Sequence, residues 1–294
     1  MDKADKIFGC ILGGAVGDCL GGPYEGRAAP VLIDYQREWR TSDDTQMTLA
    51  TCEAISAHRK VDPEQIAGTF ARWHRARRFT GIGASTYKAL TELARGGHWA
   101  LVGNKGERAA GNGAAMRIAP LAFCLDPKTS RDRATIRDVC RITHHNEEAY
   151  AGALAVALAV RLAWDGSWSG DDLMRRVIDH LPDTSVRDRL IEISRIDQNV
   201  SLLEIANKHG SSGYVIESVP LALCGAERVR RLGFQSMLEK LIAAGGDTDT
   251  NASIAGQIAD ALIGREKIPQ ELISRLPDLS DITSIVEKFI DSVD

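Results

Sequence analysis

Residues 7–20, IFGCILGGAVGDCL, hold the pattern on which the fold turns. Phe8, Ile11, Leu12, Ala15, Val16, Cys19 and Leu20 recur at helical spacing, which predicts an α-helix. Gly13, Gly14 and Gly17 lie inside it. A glycine lowers helix propensity by about 1 kcal/mol relative to alanine. Three so close together imply that a second backbone or a ligand lies where a side chain would collide.

Outward from this stretch the helical period recurs over 46–58, 63–75, 86–95, 147–164, 171–181, 186–194, 220–230, 251–263 and 282–290. Strand signals are nearly absent. Val215 to Val219 is β-rich but brief, and it runs directly into a helical region. The predicted fold class is all-α. No Pro/Gly/Ser-rich linker, repeat or low-complexity tract divides the chain, so one domain over 1–294 is expected.

With 44% hydrophobic and 26% charged residues, the 294-residue chain has the profile of an ordinary soluble protein. Its net charge of −4 supplies no broad positive field for gripping nucleic acid. The local basic cluster of Arg72, His74, Arg75, Arg77 and Arg78 reads as a solvated helix face. The amino terminus lacks the basic-then-apolar pattern of a secretion signal, and Gly or charge interrupts each long apolar stretch. A cytoplasmic monomer with no membrane partner is the expectation. Cys10, Cys19, Cys52, Cys124, Cys140 and Cys224 contain no CxxC pair and read as buried reduced thiols. No dinucleotide fingerprint, phosphate-binding P-loop or HExxH occurs, so any metal must be held mainly by oxygen.

Two acidic segments supply that oxygen. Ser42-Asp43-Asp44-Thr45 precedes one predicted helix, and Asp247-Thr248-Asp249-Thr250-Asn251 precedes another after Gly245-Gly246. Helix capping explains either segment alone, because Ser, Thr and Asp accept hydrogen bonds from first-turn N–H groups. Together they exceed that need. A cap uses one acceptor, whereas each segment concentrates two carboxylates that repel each other without a counter-charge. Hard divalent cations relieve such repulsion, and a pair of them about 4 Å apart is a recurrent hydrolytic device. Ser42, Asp43, Asp44, Asp247, Asp249 and Thr250 are the candidate ligands.

The sequence resembles the ADP-ribosylglycohydrolase family, on GCILGGAVGDCLGGPYEGR at 9–27, SDDTQMTLA at 42–50, GNGAAMRIAPLA at 111–122, ITHHNEEAYAGALAVALA at 142–159 and GGDTDTNASIAGQIADALIG at 245–264. The resemblance spans most of the chain, and SDDT combined with GGDTDTN is far more specific than either alone. It implies an all-helical domain around a central dinuclear cleft. Two Mg²⁺ or Mn²⁺ ions would be bound by the six candidate ligands, with Asp249 bridging them.

The Gly111-Asn112-Gly113-Ala114-Ala115-Met116-Arg117 stretch carries small residues ahead of an apolar helical segment, a setting for anion binding by backbone N–H groups or simply for a tight turn. The resemblance assigns Gly111, Asn112, Gly113, Ala114 and Met116 to the substrate, and Thr143-His144 matches a motif that gives His144 the same role. His145 reads as its neighbour. Tyr214 resembles an aromatic position beside adenosine. Glu25, on a segment bounded by turn-forming residues, matches an acidic position near the metals and is the candidate for proton handling. Asp18, inside the glycine-bearing helix, reads as a structural carboxylate. One departure stands out: many arginine-directed bacterial members carry Asp-Ile-Gly where this chain reads Gly81-Ile82-Gly83.

The implied reaction is metal-dependent hydrolysis of the bond between ribose C1″ and a protein side chain, arginine first among the candidates. Glu25, Asp43, Asp44, Asp247 and Asp249 would be catalytic, the partner an ADP-ribosylated protein, and the product ADP-ribose. Three alternatives are a serine-ADP-ribose, O-acetyl-ADP-ribose or poly(ADP-ribose) linkage, a non-catalytic ADP-ribose-binding module, and a magnesium phosphohydrolase.

Overall fold

The glycines of the amino-terminal helix lie against another helix backbone. A computed structural model describes residues 2–168 and 171–293. In its first half the helices are α1 (Lys3–Gly21), α2 (Asp43–His58), α3 (Pro63–Arg75), α4 (Ala84–Ala94), α5 (Trp99–Val102), α6 (Ala119–Cys124), α7 (Ser130–Arg141) and α8 (Glu147–Trp164). There follow α9 (Leu173–Ile178), α10 (Ser185–Ser194), α11 (Leu202–His209), α12 (Val215–Glu227), α13 (Val229–Leu232) and α14 (Phe234–Ala243). The last are α15 (Thr248–Ile263), α16 (Gln270–Ile273) and α17 (Leu279–Val293).

α1 and α15 run antiparallel with their main chains in contact. A Cβ added to Gly13 would lie 2.6 Å from the Gly256 carbonyl oxygen, one on Gly17 2.3 Å from that of Ala252, and one on Gly21 2.4 Å from that of Thr248. Gly9 meets the far end of α15 in the same way, and a Cβ on Gly256 would stand 2.2 Å from the Gly13 oxygen. Steps of four on both helices make this a ridge-into-groove contact stripped of side chains. The sequence expectation of a close neighbour holds for Gly13 and Gly17, while Gly14 faces the Gln257 side chain.

α15 is buried from Thr248 to Leu262, and α8 is buried over most of its length. A helix buried on every side belongs at the centre, and α15 holds that place although it carries Asp249, Asn251, Gln257 and Asp260. Outer helices rest on them by narrower stripes: α17 buries only Ile282, Val286 and Phe289.

The all-α expectation holds, with one two-residue parallel ladder, Asn104–Lys105 beside His144–His145, among the described residues. The β-rich Val215 to Val219 begins α12, because burial in the core outweighs local strand preference. α2 and α15 start at Asp43 and Thr248, three residues before the predicted 46 and 251. The acidic segments therefore form the first helical turns and do not merely precede them. α7, α11 and α14 escaped prediction; α7 buries only Ile136, Val139 and Cys140.

Contrary to the sequence expectation, Lys3–Tyr24 does meet the length and hydropathy of a membrane span, but 89% of its apolar window is buried in the fold. The cysteines are free, and all but the partly exposed Cys124 are buried. The basic cluster is a solvated face: Arg72 pairs with Glu53 at 2.6 Å and Arg78 stacks on Trp73 at 3.5 Å.

Gly17→Ala is expected to destabilise the protein by about 1–3 kcal/mol, since a methyl must displace the Ala252 carbonyl. Gly68→Ala, on α3 where a Cβ meets open space, should stabilise it by about 0.5–1 kcal/mol. Urea denaturation followed by circular dichroism checks both signs.

Candidate active site

Antiparallel packing sets the carboxyl end of α1 beside the amino end of α15, where Thr248 Oγ1 donates to the Gly21 carbonyl at 2.9 Å. Asp18 draws α2 to the same place. Its fully buried carboxylate accepts from the Ser42 and Thr45 N–H groups at 3.0 and 3.2 Å, and from the Thr45 hydroxyl. Asp18 thus has the structural role expected of it. The outcome is direct contact between the acidic segments: Thr250 Oγ1 donates to Asp44 Oδ2 at 3.1 Å across 206 positions of sequence.

Capping accounts for Ser42, whose Oγ accepts from Asp44 N–H at 3.3 Å. It does not account for the aspartates. Asp247 occupies the N-cap position of α15 without capping it, and its Oδ2 accepts from Asn112 Nδ2 at 2.6 Å. The preceding Gly245 and Gly246 have φ of +69° and +77°, the left-handed region that favours glycine. Through them the Gly246 N–H donates to Arg27 O at 2.9 Å, and Gly26 N–H donates to Gly246 O at 2.7 Å. This pins the Glu25–Arg27 segment beside α15, and carboxylate oxygens of Glu25, Asp247 and Asp249 lie within 4.8 Å of one another.

A cavity of about 260 Å³ opens on this cluster. Of the residues predicted from sequence, Glu25, Asp43, Asp44, Asp247, Asp249, Thr250, Gly111, Asn112, Gly113, Met116 and His144 line it. Three do not. Ser42 lines an adjoining cavity of about 410 Å³ that shares Glu25, Gly81 and Asp249 and carries Arg37 and Arg40. Ala114 is wholly buried behind the loop. Tyr214 is bridged to Gly111 by its backbone at the start of α12, which leaves its side chain exposed and outside the lining. Sequence reasoning missed Ser85, Thr86 and Gly213 in the wall; short polar or glycine positions give no periodic signal.

The Gly111–Gly113 loop forms a single 3₁₀ turn at Asn112–Ala114, and the apolar helical segment expected after it is the short α6, which starts at Ala119. Asn112 N–H is taken by Gly213 O at 3.1 Å, and Gln257 Nε2 holds Met116 O at 2.8 Å. The loop is thereby fastened to both α12 and α15. His144 is placed by the small ladder, with Asn104 as its partner.

The acids raise one another's pKa. Burial first, then Asp18 and Asp247, push Asp43 up to about 8. Burial and Asp247 push Asp249 to about 10, and burial with Asp249 lifts Asp44 well above the carboxylate range. Glu25 rises through partial desolvation, then through Asp247 and Asp18. Asp44 Oδ1 is buried and accepts no hydrogen bond. Such an oxygen costs free energy unless something meets it.

The family model for ADP-ribosylglycohydrolase matches residues 1–294. The chain belongs to the ADP-ribosylglycohydrolase family. Human ADP-ribosylhydrolase ARH3 is 27% identical, covering 90% of this chain and 87% of its own. The Escherichia coli protein YegU is 29% identical over 95% and 94%. The chain of a solved ADP-ribosylglycohydrolase-related protein complex shares the fold at a TM-score of 0.70 and 24% identity, covering 99% of each. The chain is therefore a glycohydrolase of that family with a helical fold.

The donor set suits a hard divalent cation: clustered carboxylates, the Thr250 hydroxyl and an unmet Asp44 oxygen, with no thiol or imidazole among them. Linkage gives a test. Carboxylates with raised pKa stabilise the fold below their unfolded value near 4, and that stability is lost as pH rises through the folded values, about 8 for Asp43. In chelator, the melting temperature is expected to fall between pH 5 and pH 8.5, with Mg²⁺ or Mn²⁺ abolishing the fall. Equal melting at both pH values in chelator would contradict this electrostatic account.

Proposed function

We propose that this ADP-ribosylglycohydrolase releases ADP-ribose from a modified protein side chain, with two Mg²⁺ or Mn²⁺ ions held by Asp43, Asp44, Asp247, Asp249 and Thr250. Ser42 takes part through its hydrogen bond to Asp44. The observation that carries the reading is the unpartnered, buried Asp44 Oδ1 amid converging acids. Bound there, the ions would order the ribose hydroxyls and favour ionisation of a water.

The chain's own groups do the rest. Asn112 aims the Asp247 carboxylate and joins the glycine loop to the acidic cluster. Glu25, exposed where the two cavities meet, has a raised carboxyl suited to carry a proton to the leaving atom. Gly111–Gly113 and His144 wall the opposite side, where the ADP-ribosyl phosphates and ribose would sit.

One observation favours an oxygen-linked acceptor, such as serine-ADP-ribose or O-acetyl-ADP-ribose, over arginine. Gly81 stands where many arginine-directed bacterial members carry Asp. A Cβ there would lie 3.8 Å from Asp43 Oδ1, so a carboxylate at this position would face the leaving group's surroundings.

Mass spectrometry of serine- and arginine-linked ADP-ribosyl peptides and of O-acetyl-ADP-ribose, with Mg²⁺, Mn²⁺ or chelator, tests the reading. Metal-dependent release of intact ADP-ribose from an oxygen linkage is expected. Asp44→Asn should lower kcat by at least about 100-fold. Release of phosphate, or binding without turnover in any metal, would reject the reaction; arginine turnover alone would reject the linkage.

A further inference from the structure

Arg117 is a guanidinium 1% exposed whose hydrogen bonds go to a carbonyl and a hydroxyl, not to a carboxylate. An unpaired buried cation is costly, so its contacts have to be accounted for. Nη1 donates to the Gly113 carbonyl at 2.6 Å and Nη2 to Thr143 Oγ1 at 2.7 Å. The guanidinium carbon lies 5.1 Å from the centre of the Phe70 ring, and Nε has no partner. The two groups it grips belong to two walls of the cavity: the glycine loop and the Thr143-His144 step.

The grip has a consequence for His144. Thr143 Oγ1 already accepts from Arg117, and its hydroxyl proton has one nearby acceptor, His144 Nδ1 at 2.8 Å. When that hydroxyl donates, Nδ1 is unprotonated and the ring proton sits on Nε2, whereas the opposite tautomer would leave the buried hydroxyl proton unmet. Nε2 lies beside the glycine loop, 3.2 Å from where a Gly111 Cβ would be, on a ring that lines the cavity. Burial, and then the Arg117 charge, lower the His144 pKa to about 3, so the ring stays neutral. A neutral imidazole can still donate from Nε2.

We propose that Arg117 is a positioning residue: by fastening the Gly113 carbonyl and the Thr143 hydroxyl together, it fixes His144 as an Nε2–H donor aimed into the cavity. The ligand this donor meets is an oxygen of a phosphate or ribose, which rests on the reading that the cavity holds an ADP-ribosyl group. Arg117 itself touches no substrate.

The ring proton can be observed without any ligand. In ¹⁵N-edited spectra of the whole protein, with the His144 signals assigned by their loss in His144→Gln, the wild type is expected to show Nε2 protonated and Nδ1 bare. Thr143→Val should abolish that preference and weaken binding of ADP-ribose in Mg²⁺, read by calorimetry, about tenfold. Thr143→Ser, which keeps the hydroxyl, should restore both. Arg117→Lys keeps the charge without the fork and should raise KM more than it lowers kcat. A wild-type His144 carrying its proton on Nδ1, or Thr143→Val with unchanged tautomer and affinity, would overturn the proposal. A wild type with the Nε2 proton that takes no ADP-ribose upholds the relay and overturns the ligand reading instead.

Discussion

The backbone contact between α1 and α15 governs the rest of the molecule. Glycines at every fourth position of α1 let two main chains approach as closely as the atoms allow, and antiparallel direction then decides which ends coincide. The carboxyl end of α1 and the amino end of α15 meet, and Asp18 of α1 captures the amino end of α2. Three chain segments remote in sequence thus open on one point. Two of them are helix amino termini, whose positive dipole ends favour the carboxylates gathered there.

Around that point the fold separates charge by sign. Acids converge on the cavity, and a buried guanidinium stands behind its glycine loop. Under the proposed function the division matches the ligand, since cations between the acids would hold ribose hydroxyls while the loop and His144 face the phosphates. Asn112 connects the loop to the acids through a single amide, so a shift in the loop is felt by Asp247.

The sequence made the acidic segments legible because carboxylates and hydroxyls packed into four or five positions exceed what capping needs. Asp43, Asp44, Asp249 and Thr250 accordingly lie together, and so does Glu25, whose place depends on the Gly245-Gly246 turn. What escaped was set by tertiary neighbours. Tyr214 reads as a pocket aromatic, yet its backbone bridge to Gly111 leaves the ring exposed outside the cavity lining. Ala114 follows two lining residues but lies behind them. Arg117 is one cation in an apolar stretch, and no spacing rule shows that it reaches residues 113 and 143 at once. The helix starts at Asp43 and Thr248 were misplaced for a related reason: polar first turns carry no apolar period, although core packing makes them helical.

The pairing of the first long helix with one near the far end of the chain bears on how the protein is made. A ribosome adding roughly 5–20 residues per second completes α1 well before α15, leaving an apolar, glycine-rich segment without its mate on the order of tens of seconds. Until then the nascent chain cannot close its centre, and α1 carries the composition of a membrane-crossing segment. That interval of exposure is set by chain order and not by the stability of the finished enzyme.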